Sequence, residues 1–111
     1  MIKKTCKTFI AEIYMAGNYD LAKQTVRKYC LSGFCVSIEK VDYIYTMGEE
    51  SGFVARVINY PRFERTSKEI KSRSMDLAQE LLLDLHQGSC SVVFPDETVF
   101  ITRRNKDKTN N

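Results

Sequence analysis

The segment from Thr66 to Gly88 constrains the fold most, because it carries an apolar stripe too wide to be left in water. Thr66-Ser67-Lys68-Glu69 fits a capping box, with Thr66 at the cap and Glu69 three residues on. Ile70, Ser74, Leu77, Leu81 and Leu85, flanked by Ala78 and Leu82, then recur at helical spacing, and Gln87-Gly88 closes the helix. A chain of 111 residues holds one hydrophobic core and no more. The rest of the sequence must therefore supply the surface on which this helix packs.

That surface is a sheet. In residues 8–16, Phe9, Ala11, Ile13 and Met15 alternate, the period-two pattern of a strand with one face in the core. Gly17-Asn18 breaks the pattern, and Asn18 or Asp20 can cap a helix over residues 20–31. Its apolar side is Leu21, Ala22, Val26, Tyr29 and Cys30, and Ser32-Gly33 stops it. From Phe34 to Thr46 the alternation returns, on one parity through Phe34, Val36 and Ile38 and on the other through Val41, Tyr43 and Tyr45. The switch predicts a bulge near Lys40. A loop at 48–52 and a strand over Phe53–Tyr60 complete a hairpin, which Pro61 ends.

After the long helix come two short strands, Ser89–Phe94 and Val99–Arg103, joined by the turn Pro95-Asp96-Glu97-Thr98. The order β-α-β-β-α-β-β predicts an α+β fold, an antiparallel sheet with two helices on one face in a split βαβ arrangement. Residues 1–103 form a single domain in this reading, and 104–111 form a polar, disordered tail.

Composition narrows the function. The net charge of +3 is mild for a dedicated duplex-DNA binder. The chain shows neither a signal-peptide pattern nor an apolar stretch of membrane-spanning length, which predicts a cytoplasmic protein. Cys6, Cys30, Cys35 and Cys90 then read as free thiols, mostly in the core.

The inventory for catalysis is thin. His86 is the one histidine, and Cys90 follows it only beyond a helix-ending Gly, so nothing fixes a base against a nucleophile. Cys30-x4-Cys35 spans a helix end and a strand start while Cys6 and Cys90 stand alone, a weak zinc signal, and Glu49-Glu50 and Asp96-Glu97 read as solvated turn charges. No cofactor and no metal is expected, and the chain is not expected to be an enzyme.

The inventory for binding is better. Arg56, Asn59, Tyr60, Arg62 and Phe63 place two guanidiniums, an amide and two rings within eight residues. Rings stack on a base, guanidiniums fork onto phosphate and an amide reads a base edge or a ribose hydroxyl. The plainer reading is that Tyr60 and Phe63 finish the core while the arginines are solvated. Arg103 and Arg104 end the last strand and either close a phosphate site or begin a soluble tail.

Two stretches carry a family resemblance. One is Tyr45-Thr46-Met47-Gly48-Glu49-Glu50-Ser51-Gly52 leading into Ile58-Asn59-Tyr60-Pro61-Arg62-Phe63. The other runs from Gln87-Gly88-Ser89-Cys90 through Pro95-Asp96-Glu97-Thr98 to Thr102-Arg103-Arg104. Together, over residues 43–104, they resemble the first-described type of phage Thoeris anti-defence protein. The resemblance implies a sponge that binds cyclic ADP-ribose isomers, and in some members cyclic oligonucleotides, without cleaving them. It also implies a homodimer or a dimer-based hexamer in the host cytoplasm.

On that reading Arg56, Asn59, Tyr60, Arg62, Phe63, Arg103 and Arg104 line or border the pocket. The runner-up is a protein- or RNA-interaction module, an inhibitor or a weakly basic binder. Third comes a ring-opening nucleotide lyase or hydrolase, a class that needs little catalytic machinery.

Overall fold

The computed structural model of the chain describes residues 1–109. Strand β1 (Ile10–Ala16) carries the expected alternation, with Ala11, Ile13 and Met15 buried. Helix α1 (Tyr19–Cys30) begins where Asn18 Oδ1 accepts the Leu21 N–H at 2.9 Å. Strands β2 (Ser37–Tyr45) and β3 (Gly48–Ile58) form the hairpin, and a 3-10 turn at Pro61–Phe63 leads to helix α2 (Ser67–Asp84). Strands β4 (Ser89–Val93) and β5 (Thr98–Thr102) complete the antiparallel sheet, whose order is β2-β3-β1-β4-β5. This is the predicted α+β class and element order.

The core lies between one sheet face and the two helices. Ile13, Phe53, Val57 and Val92 from the strands meet Ala22 and Val26 of α1 and Ile70, Leu77 and Leu81 of α2. The Thr66 cap forms as expected, its hydroxyl accepting the Glu69 N–H at 3.1 Å. Glu69 does not reach back to complete the box, because its carboxylate is paired with Arg65. The opposite sheet face carries charge: Arg56 on β3 bridges Glu12 on β1 at 2.7 Å and Glu39 on β2 at 2.6 Å.

Three expectations are corrected. There is no bulge near Lys40, since β2 and β3 pair without interruption from Ser37↔Arg56 to Tyr45↔Gly48. The change of parity marks which face has something to bury: Ile38 faces the helices, while Tyr43 crosses the other face, donating to the Phe53 carbonyl and accepting the Met15 N–H at 3.1 Å. Residues 48–52 are strand, not loop, and the turn is only Thr46-Met47, with Met47 at φ 67°. Helix α2 ends at Asp84 with Leu85 as its cap, and the left-handed residue that closes it is His86 at φ 55° rather than Gly88, with the Gln87 and His86 N–H groups bonded to the Leu82 and Leu83 carbonyls.

Within the segment expected to be a tail, Asn105–Thr109 wind into a 3-10 turn, with Asp107 accepting from Thr102 Oγ1 at 2.5 Å and Arg104 Nε at 2.7 Å. The last two residues of that tail lie outside the described residues. Among the described residues, no helix is long and apolar enough to cross a membrane.

Candidate functional site

Past Ile58 the chain leaves the sheet, turns through Pro61–Phe63 and enters α2. On one side of this turn lies a groove of about 270 Å³ between the α1–β2 loop and the strand end, walled by Phe34, Cys35, Ile58, Tyr60, Phe63 and Arg65. Phe63 is 64% exposed, so its ring is open to whatever enters the groove. The Tyr60 phenol is pushed up to about 12, first by its hydrogen bond with the Cys35 thiol and then by burial. It is a neutral donor across the physiological range, not a base.

On the other side opens a wider cleft of about 690 Å³, lined by Lys7, Phe9, Asn59, Glu64, Arg65, the first turn of α2 and Asp96. Arg65 lines both cavities, which adjoin at this residue. Its guanidinium is held by Glu69 and the Gly33 carbonyl and lies 5.3 Å from the centroid of the Phe34 ring. Asp96 is committed to Lys71 at 2.8 Å, whereas Glu64 is exposed at the rim. An apolar, ring-walled groove thus meets a cleft of mixed charge at one arginine. That arrangement suits a ligand with a flat aromatic end and a zwitterionic end.

The residues anticipated from sequence fall in four places. Tyr60 and Phe63 wall the groove, and Arg62 stacks its guanidinium 5.4 Å from the Phe63 ring. Asn59 lies behind the cleft, with its amide occupied: Nδ2 donates to the Lys7 carbonyl at 2.9 Å and Oδ1 accepts the Arg65 N–H at 2.9 Å. Arg56 is engaged by Glu39 and Glu12 on the outer sheet face, and these bonds, Glu39's first, raise its pKa above the ordinary value.

Arg103 and Arg104 sit on the far side of the molecule, because β1 and β4 separate β3 from β5. Arg103 ties the last strand to the end of α2 through the Leu82 and Gln87 carbonyls, each at 3.2 Å. Arg104 bonds Ser89 and Asp107 beside a separate polar groove of about 320 Å³. The two arginine clusters do not share a pocket. Phe34, Cys35 and Arg65 were not anticipated, and the one sequence signal for them is Arg65 directly preceding the helix cap, four residues before Glu69. Among the described residues, no group of three or more His, Cys, Asp or Glu is gathered to hold a metal.

Two solved structures superpose on nearly the whole chain. A phage SAM lyase in its apo state matches with a TM-score of 0.71 at 17% identity, covering 94% of this chain and 97% of its own. A phage SAM lyase in complex with S-methyl-5'-thioadenosine matches with a TM-score of 0.62 at 16% identity, covering 92% and 95%.

The fold is shared with phage SAM lyase. No family model and no curated protein sequence matches the chain.

These neighbours correct the functional expectations. A sponge that sequesters cyclic ADP-ribose isomers, and a chain that is not an enzyme, are both overturned by a fold shared end to end with a lyase. Nothing in the comparisons supports the Thoeris assignment.

Proposed function

We propose that this chain is a lyase acting on S-adenosylmethionine (SAM), releasing S-methyl-5'-thioadenosine from the groove beside Tyr60 and Phe63. The observation that carries the proposal is the junction at Arg65 of a ring-walled apolar groove with a charged cleft, in a fold shared with phage SAM lyase. The adenine ring stacks against Phe63 and Phe34, as bases do on exposed aromatic side chains. The amino-acid end bends back at Arg65, with its ammonium toward Glu64 at the rim of the cleft and its carboxylate turned into the groove toward Cγ.

The chemistry asks little of the protein. In SAM the sulfonium is the leaving group, and the substrate's own carboxylate can reach Cγ in a five-membered ring. An O–Cγ bond forms, the Cγ–S bond breaks, and its electron pair stays on sulfur to give neutral S-methyl-5'-thioadenosine and homoserine lactone. The reacting carboxylate and sulfonium cancel each other's charge on the way to the transition state. Moving them from water into an apolar groove therefore lowers the barrier. Holding the tail folded supplies the rest, as near-attack positioning does for other intramolecular reactions. A phenol that stays protonated fits this path, in which no proton has to be removed.

The test is to incubate the purified protein with SAM and follow products by chromatography coupled to mass spectrometry, with authentic standards to separate the isomeric homoserine lactone and 2-amino-3-butenoate. Many equivalents of S-methyl-5'-thioadenosine per protein are expected, with homoserine lactone as the co-product. A 2-amino-3-butenoate co-product would replace the displacement by base-driven elimination, and SAM decaying only at its spontaneous rate would remove the lyase reading. Phe63→Ala is expected to lower kcat/KM about tenfold, since one base–ring stack contributes about 1–3 kcal/mol.

A further inference from the structure

We propose that Arg73, which lines neither cavity, is a positioning residue: from α2 it holds the α1–β2 loop in place as the wall of the nucleoside groove. The inference rests on the reading that this groove takes the nucleoside end of the substrate. Three loop residues, Gly33, Phe34 and Cys35, form that wall. Of the segment between α1 and β2, Phe34 and Val36 pack against the core, and the rest stands clear of it. Leu31 is 84% exposed, Ser32, Gly33 and Cys35 are exposed, and Gly33, at φ 90°, has open space where a side chain would stand.

Arg65 holds the loop at the Gly33 carbonyl, and α2 holds it through Arg73. The Arg73 guanidinium carbon lies 4.4 Å from the centroid of the Phe34 ring and 5.0 Å from that of Tyr29. Arg73 Nε donates to Tyr29 Oη at 2.8 Å, and Nη2 donates to Ser32 Oγ at 2.6 Å. Tyr29 returns a bond to the Arg73 carbonyl at 3.1 Å and meets Phe34 edge-on at 5.8 Å. One planar fork thus grips the end of α1, the loop backbone's neighbour Ser32 and the wall ring together. Arg65 adds a second cation at 5.3 Å from Phe34, but it belongs to the cavity lining itself.

Lysine cannot reproduce this grip, because an ammonium is a point charge without the flat fork that stacks and donates at once. Arg73→Lys should therefore behave more like Arg73→Ala than like the wild type.

Two readouts separate the clamp from the lyase reading. The first is labelling of Cys35, the one exposed cysteine of the four, by an aromatic disulfide reagent, with the modified residue located by mass spectrometry. The second is the split of KM from kcat for SAM, beside the Kd of S-methyl-5'-thioadenosine. Labelling is expected to quicken in Arg73→Lys and Arg73→Ala. KM and Kd should rise together by about tenfold while kcat stays within about twofold, the pattern of lost ground-state positioning.

Unchanged labelling would show that Arg73 holds nothing, whatever the activity. Faster labelling with unchanged KM and Kd would show that the loop is not the nucleoside's wall. A wild-type Arg73→Lys would also overturn the proposal, since charge alone would then suffice. If the wild type binds S-methyl-5'-thioadenosine but leaves SAM intact, the lyase reading fails by itself, and labelling with Kd still decides the clamp. Should Arg73→Ala not fold, Tyr29→Phe removes the hydroxyl that Arg73 grips and is expected to shift the same readouts in the same direction.

Discussion

Ser74 puts a fully buried hydroxyl into the helix layer without a hydrogen-bond partner. An unsatisfied buried group of this kind costs about 1–3 kcal/mol, so Ser74→Ala is expected to raise unfolding stability by about 1 kcal/mol in urea titrations. Asn59 is the opposite case. Its side-chain amide joins Lys7 and Arg65 and its backbone joins Phe9 and Cys6, and truncation would strand two of those groups, the Lys7 carbonyl and the Arg65 N–H. Asn59→Ala is expected to lose about 2–3 kcal/mol, with a drop in the urea midpoint as the readout. A stability matching the wild type would mean that water satisfies those groups instead. Asn59 also shows why the candidate site was only half legible. Its neighbours in sequence made it look like a reader of a base edge, yet its amide partner Lys7 lies 52 residues away. Tyr60 and Phe63 stood out as rings beside a strand end, although the sequence favoured their finishing the core. Phe34 and Cys35 could not, since the groove exists only where the α1–β2 loop meets the strand end.

Elements with a buried face were legible, and elements without one were not. The stripe of α2 and the alternation of β1 each follow from a side that must be apolar, and the caps at Asn18 and Thr66 from helix-start N–H groups that need an acceptor. Residues 48–52 have no such side, so Glu49, Glu50 and Ser51 read as a loop although they pair with β2. Gly52 occupies the point where this hairpin crosses β1. A β-carbon there would lie 2.4 Å from the Met15 carbonyl oxygen and 2.6 Å from the Tyr43 ring. Gly52→Ala is expected to cost about 2 kcal/mol or more, because the nearest obstacle is backbone and cannot turn aside. At the end of α2 the strain runs the other way. His86 holds a left-handed conformation that side chains disfavour by roughly 1–2 kcal/mol. His86→Gly is accordingly expected to raise the melting temperature by a few degrees, and a fall would reveal a contact of the imidazole that outweighs the backbone strain.

At the scale of the whole molecule, the β-α-β-β-α-β-β order led to the right architecture because each connection has few allowed routes across an antiparallel sheet. What order does not encode is which strand ends lie together, and that decided against a joint arginine pocket. The same sheet makes an alkaline prediction. Tyr43 is pushed up to about 12, chiefly by burial, as its hydroxyl locks β2 to the backbones of β1 and β3. Tyr60 is likewise pushed up to about 12, and burial pushes the Cys90 thiol up to about 11. Each is an acid whose folded pKa exceeds its unfolded one. The folded state therefore keeps protons that the unfolded chain has released. The stability from this source is complete below the ordinary values of 9.0 for the thiol and 10.0 for the phenols, and is lost as pH rises toward 12. Urea midpoints should fall steadily across that window, in step with the rise of tyrosinate absorbance. Tyr43→Phe is expected to be less stable than the wild type at neutral pH, having lost the lock, and to show a shallower alkaline decline. An equally steep decline in the variant would assign the alkaline sensitivity to Tyr60 and Cys90 instead.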